Sequence, residues 1–91
     1  MSNPMTQVTF HLQNGEQEAF SLPMTPEMFL QQFQVSLAAP LLVFQLIDQS
    51  ICIKPDSIVK IEIEPPCHGI TGSFLFAKAE RVTAMTRGSW R

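Results

Sequence analysis

Charged residues are scarce in this chain. Asp, Glu, Lys and Arg make up 15% of its 91 residues and apolar residues 45%, against a usual charged share of about 25%. Little charge is left to coat a lone small sphere. A chain this short also sits near the lower limit at which one hydrophobic core holds itself together. The expectation is a single domain, residues 1–91, that takes help from a second copy. Lys and Arg are missing from residues 1–53, which carry Glu16, Glu18, Glu27 and Asp48, a formal −4. Residues 54–91 carry six basic and four acidic groups, a formal +2, so the chain totals −2. Nucleic-acid binding needs a basic face that displaces counterions from phosphates, and the first half offers none.

Other absences narrow the reading further. No uninterrupted apolar run is longer than that of Leu41 to Phe44, far short of the roughly 20 residues of a membrane-spanning helix. The first residues, MSNPMTQ, lack both the basic cluster and the apolar centre of an export signal. A cytoplasmic location without membrane attachment is expected. Two cysteines are too few for a disulfide framework and would stay as thiols in a reducing compartment. The motifs G-x-S-x-G, C-x-x-C, H-E-x-x-H and a glycine-rich phosphate loop are all missing. No catalytic residue, cofactor or metal is therefore assigned. A zinc site would have to gather Cys52, Cys67, His11 and His68, none of which stand at ligand spacing.

What is present reads as a β-rich chain. In QVTFHLQNGEQEAFSL, Val8, Phe10 and Leu12 alternate with polar residues, the period of a half-buried strand. The Asn14-Gly15 pair marks a hairpin. A two-residue loop would put Phe20 and Leu22 on the face opposite Phe10. A three-residue loop, with Gly15 in a left-handed bulge position, pairs 12 with 16 and 8 with 20, and all five apolar residues then share one face. The bulged loop is the consistent reading. It turns His11 away from the core, on the side of Thr9 and Ala19, as an ordinary surface histidine.

A helix is expected over about residues 26–37, with Thr25 as N-cap, Pro26 in the first turn and Glu27 favoured by the helix dipole. Phe29, Leu30, Phe33 and Leu37 line its packing face, Gln31, Gln32 and Gln34 face solvent, and Pro40 closes the segment. Leu41 to Ile47 follows as a strand apolar on both alternations, with Leu42, Phe44 and Leu46 on one face and Leu41, Val43 and Ile47 on the other. Such a strand asks for cover on both sides. A turn at Asp48 and Gln49 leads into Ser50 to Lys54, which places Ile51 and Ile53 on the first face and Cys52, as a small core residue, opposite Gln45 on the second. KPDS, residues 54–57, reads as a type I turn. Ile58 to Glu64 then alternates, with Val59, Ile61 and Ile63 inward and Lys60, Glu62 and Glu64 outward, completing a three-strand meander. Glu62 and Glu64 form a solvated face, one carboxylate neutralised by Lys60, rather than a general acid and base.

PPCHGITG, residues 65–72, sets Cys67 beside His68 among prolines and glycines. Neighbouring side chains of an extended segment point in opposite directions, so adjacency works against a nucleophile–base pair. The stretch reads as a connector. In the last segment a helical projection sets Lys78 among Phe74, Leu75, Val82 and Met85, so two short strands, 73–77 and 81–86 with a turn at KAE, are the expectation.

The fold class that results is α+β and predominantly β. It is a bent antiparallel sheet or small SH3- or Sm-like barrel of five or more strands with one helix between strands 2 and 3, a β-grasp-like arrangement being the alternative. The functional expectation is a non-enzymatic interaction or assembly module that self-associates, with Leu41, Val43, Ile47, Phe74, Phe76 and Trp90 as contact residues. An alternative is a small-barrel RNA or DNA binder using Lys78, Arg81, Arg87 and Arg91 with aromatic stacking. The other is a thiol- or metal-dependent enzyme centred on Cys67 and His68.

Overall fold

The computed structural model describes residues 4–73 and 75–82. Five strands and one helix follow one another as β1 (Thr6–Leu12), β2 (Gln17–Leu22), α1 (Pro26–Ser36), β3 (Leu42–Gln45), β4 (Ser50–Ile53) and β5 (Ile58–Glu64), with a 3₁₀ turn over Pro55–Ser57. The class is α+β, mostly β, with the helix between the second and third strands. The strands form two antiparallel sheets, β2-β1-β5 and β3-β4, and these do not close into a barrel.

The first hairpin adopts the bulged register. Val8 pairs with Phe20, Leu12 N–H donates to the Glu16 carbonyl at 2.9 Å, and Gly15 takes φ +89°. A turn of this shape needs a residue that tolerates positive φ, and Gly15 has no neighbour that a side chain would meet. In α1 the Thr25 hydroxyl accepts from Met28 N–H at 3.1 Å, Pro26 occupies the first turn and Glu27 follows it. The helix ends at Leu37, its C-cap. Leu37 keeps helical backbone angles but is more than half exposed and does not join the packing face expected for it; it lies past the last helical residue, Ser36.

The core is aromatic. Phe10, fully buried, has the rings of Phe20, Phe29, Phe33 and Phe44 at centroid distances of 6.1, 6.2, 6.3 and 5.3 Å. Phe20 and Phe44 stack at 4.2 Å. These rings join β1, β2, α1 and β3, and Val8 and Ile53 complete the buried centre. Thr6, also fully buried, donates its hydroxyl to the Met24 carbonyl at 2.6 Å, which ties the start of β1 to the turn before α1.

β5 does not continue a meander from β4. It returns to pair with β1, Phe10 facing Ile61 and Val8 facing Ile63. Between His11 and Leu12 the ladder shifts, so that Leu12 faces Ile58. The extra residue turns Val59 outward, 62% exposed, and gives its expected core position to Ile58. β3 is limited to Leu42–Gln45, and Leu46 and Ile47 fall in the turn. The β3-β4 register puts Cys52 opposite Val43, not Gln45. Cys52 is exposed rather than part of the core, since among the described residues nothing covers that face of the hairpin. The described residues of the last segment, 73 and 75–82, form neither strand nor helix, with a turn at Ala77 and Lys78. The remainder of that two-strand expectation lies outside the described residues.

Candidate interaction surface

The hairpin β3-β4 has two different faces. Leu42, Phe44, Ile51 and Ile53 turn to the aromatic core. Period-2 alternation sends Leu41 and Val43 to the other side, where Val43 stands opposite Cys52. Among the described residues that side is left open. Val43 is 55% exposed, Leu41 is exposed, and Ile47 at the turn is entirely in water. No charged side chain interrupts residues 41–47, and Asp48 is the first to follow. The Ser50 hydroxyl donates to the Gln45 side-chain carbonyl across the strand ends, which satisfies the polar groups nearest the turn.

Of the expected contact residues, Leu41, Val43 and Ile47 are brought together on this hairpin. Phe76, also expected, is exposed in the irregular chain after β5. Phe74 and Trp90 lie outside the described residues. Lys78 and Arg81 are exposed on the same irregular segment, while Arg87 and Arg91 lie outside the described residues.

The polar face of the three-stranded sheet carries a small ion-pair cluster. β1 and β5 set His11 beside Glu62, Nε2 to Oε1 at 3.0 Å, with Lys60 Nζ 3.8 Å from the second carboxylate oxygen. The hydrogen bond from His11, assisted by the positive charge of Lys60, holds the Glu62 carboxyl below its usual range. His11 is therefore engaged on the sheet and is not placed to serve Cys67 as a base.

Cys67 and His68 belong to a connector, as their composition suggests. β5 ends at a cis Glu64–Pro65 bond. The His68 backbone N–H then donates to Glu27 Oε2 at 2.6 Å, pinning this stretch to the first turn of α1. That hydrogen bond lowers the Glu27 carboxyl, and burial together with the nearby Glu27 charge pushes the Cys67 thiol up. A raised thiol is the opposite of an activated nucleophile. Cys52 and Cys67 are both free. Among the described residues no three His, Cys, Asp or Glu side chains gather as a metal site would require, and no helix is long and apolar enough to cross a membrane.

One feature of the surface escapes sequence reasoning. A groove of about 370 Å³ runs between α1, β2 and β3, lined by residues that include Phe20, Met24, Phe29, Phe33 and Phe44, with Gln32 among its polar groups. Each of these phenylalanines reads in the sequence as core, and only the separation of the two sheets leaves space beside them. Comparison with known protein families, with curated proteins and with solved structures returns no match to this chain.

Proposed function

We propose that this protein is a non-enzymatic interaction module that self-associates through the uncovered face of the β3-β4 hairpin. The observation that carries the reading is the row Leu41, Val43 and Ile47, apolar and open to water with no charge among them. Contiguous apolar surface of this kind marks contact sites on small domains. The raised Cys67 thiol and the engagement of His11 with Glu62 weigh against the alternative of a thiol enzyme centred on Cys67 and His68.

Magnitudes set the expected strength. Fully burying one such aliphatic side chain is worth about 1.5–3 kcal/mol. Six of them in a two-fold pair are comparable with the roughly 4–15 kcal/mol lost when two molecules give up independent motion. The association is therefore a concentration-dependent equilibrium rather than a permanent dimer. Sedimentation across micromolar to submillimolar protein should show a monomer giving way to a dimer or larger species, and Ile47→Lys should keep the chain monomeric. A native chain that stays monomeric throughout that range disproves the proposal.

A further inference from the structure

The outer face of the β3-β4 hairpin carries charge at its two ends and none between. Alternation along β4 sends Cys52 to that face, and Lys54 continues it, since its backbone is still extended at φ −76°, ψ 126°. The register, carried one step beyond Leu42 and Ile53, sets Lys54 beside Leu41 at the base of the hairpin. Asp48 stands at the other end, in the turn after Ile47. Both are exposed, and among the described residues neither forms an ion pair. They are too far apart to pair within one copy. Six positions along the hairpin, at about 3.3 Å each, hold them roughly 20 Å apart, well over the Debye length of about 8 Å at physiological salt. Between them lie Val43 with Cys52 and Gln45 with Ser50, none charged. Asp56, the next charge along the chain, belongs to the 3₁₀ turn, whose backbone is tied to Gln13 of the first hairpin.

We propose that the self-associated form is a two-fold pair in which the hairpins stack antiparallel, the Asp48 carboxylate of each copy facing the Lys54 ammonium of the other. The proposal rests on self-association through this face and adds to it the orientation and the residues that select it. Apolar sheet faces pack about 10 Å apart with their strands close to aligned. A two-fold axis that brings one face against its own copy lies in the plane between them, and for aligned strands it runs either along the strands or across them. An axis along the strands sets turn on turn and base on base. Asp48 then meets Asp48 of the second copy, and Lys54 meets Lys54. An axis across the strands sets each turn on the other copy's base, and both contacts become attractive. Leu41, Val43 and Ile47 are covered by either choice, so the apolar row supplies affinity and the two end charges supply orientation.

The test is a set of charge exchanges on the full chain, read by sedimentation at low salt. Asp48→Lys makes both end contacts of the antiparallel pair repulsive and should raise the dissociation constant about tenfold. It does so although the formal charge of the chain moves from −2 to zero, which lowers the general repulsion between copies. Asp48→Lys combined with Lys54→Asp rebuilds both contacts with their signs exchanged and should return the constant to within about threefold of the native one. In about 0.5 M salt the differences among the variants should largely vanish. Native chain and double variant, one of them labelled with heavy nitrogen, are then mixed and the pairs counted by native mass spectrometry. Like pairs should predominate, because a mixed antiparallel pair sets like charges together at both ends. Should Asp48→Lys not fold, Asp48→Asn keeps a turn-forming side chain and should weaken the pair about threefold. Stacking of turn on turn predicts the reverse, with Asp48→Lys nearly neutral and mixed pairs preferred, and either result overturns the orientation while self-association stands. A native chain that is monomeric at every concentration overturns both.

Discussion

Phe10 shows what a single residue decides in this fold. It lies on β1 at the point where β2, α1 and β3 all reach the same side of the sheet, and its ring is shared among four other phenylalanines. Truncation to alanine removes contacts with all of them and should cost about 3–5 kcal/mol, a large share of the stability of a domain this size. Thr6 is a finer probe. Thr6→Val keeps the shape but takes away the donor to the Met24 carbonyl, so chemical denaturation should show a loss of about 1 kcal/mol with an unchanged denaturant slope. An equal or greater midpoint in the variant would mean the hydrogen bond contributes nothing. Glu27 and Glu62 bear on acid stability. Both carboxyls are lowered in the folded chain, by the His68 amide and by His11 respectively. Their contribution is complete above the unfolded carboxylate value of about 4.3 and disappears as pH falls through the lower folded values. Stability should thus be insensitive to these two groups from pH 7 to 5 and should decline below about 4. Glu27→Gln should flatten that acid decline, and an acid limb identical to the native one would dissociate the Glu27–His68 contact from stability.

Among the elements, the first hairpin and the helix follow from local chemistry. The alternation of Val8, Phe10 and Leu12 against Phe20 and Leu22 has one self-consistent register, and Gly15 permits the turn it needs. Because a side chain at Gly15 would meet no neighbour, Gly15→Ala should cost only the backbone penalty of a left-handed conformation, about 1–2 kcal/mol. Thermal unfolding measures it directly, and a neutral substitution would argue against the bulged turn. β5 was legible as a strand but not in its partner. An alternating strand presents the same apolar face to β4 or to β1, and the choice depends on which neighbour the whole chain brings near. The bulge at His11 and Leu12 had no sequence signal, so Val59 and Ile58 exchanged the positions that alternation alone assigns. Leu37 and Cys52 were misplaced for a related reason. Their apolar character says that burial would be favourable, and says nothing of whether another element arrives to provide it.

For the molecule as a whole, the deciding feature is the disagreement between the two faces of β3. One is sealed by Phe10, Phe20 and Ile53, and the other carries Leu41 and Val43 in water, with Ile47 beyond them. If that open face closes on a second copy, folding and association are linked, and the melting temperature rises with protein concentration. Calorimetry over a hundredfold concentration range should show that rise for the native chain and a constant midpoint for Ile47→Lys. A concentration-independent midpoint in the native chain would separate stability from assembly. The apolar character of Leu41, Val43 and Ile47 was legible because both alternations of residues 41–47 are apolar apart from Gln45, a pattern visible without coordinates. The groove beside it was not, since it lies between α1, β2 and β3, which are brought together only by the fold.

By itself the sequence determined the periods of β1 and β2, the N-cap of α1, the bulged first turn and the scarcity of charge, because each depends on residues within a few positions of one another. Only the tertiary structure decided that β5 lies against β1, that the described strands form two separate sheets, and that α1, β2 and β3 leave one aromatic groove between them. Those outcomes turn on packing between segments tens of residues apart, where several partners satisfy the same local pattern and the shared aromatic core selects among them.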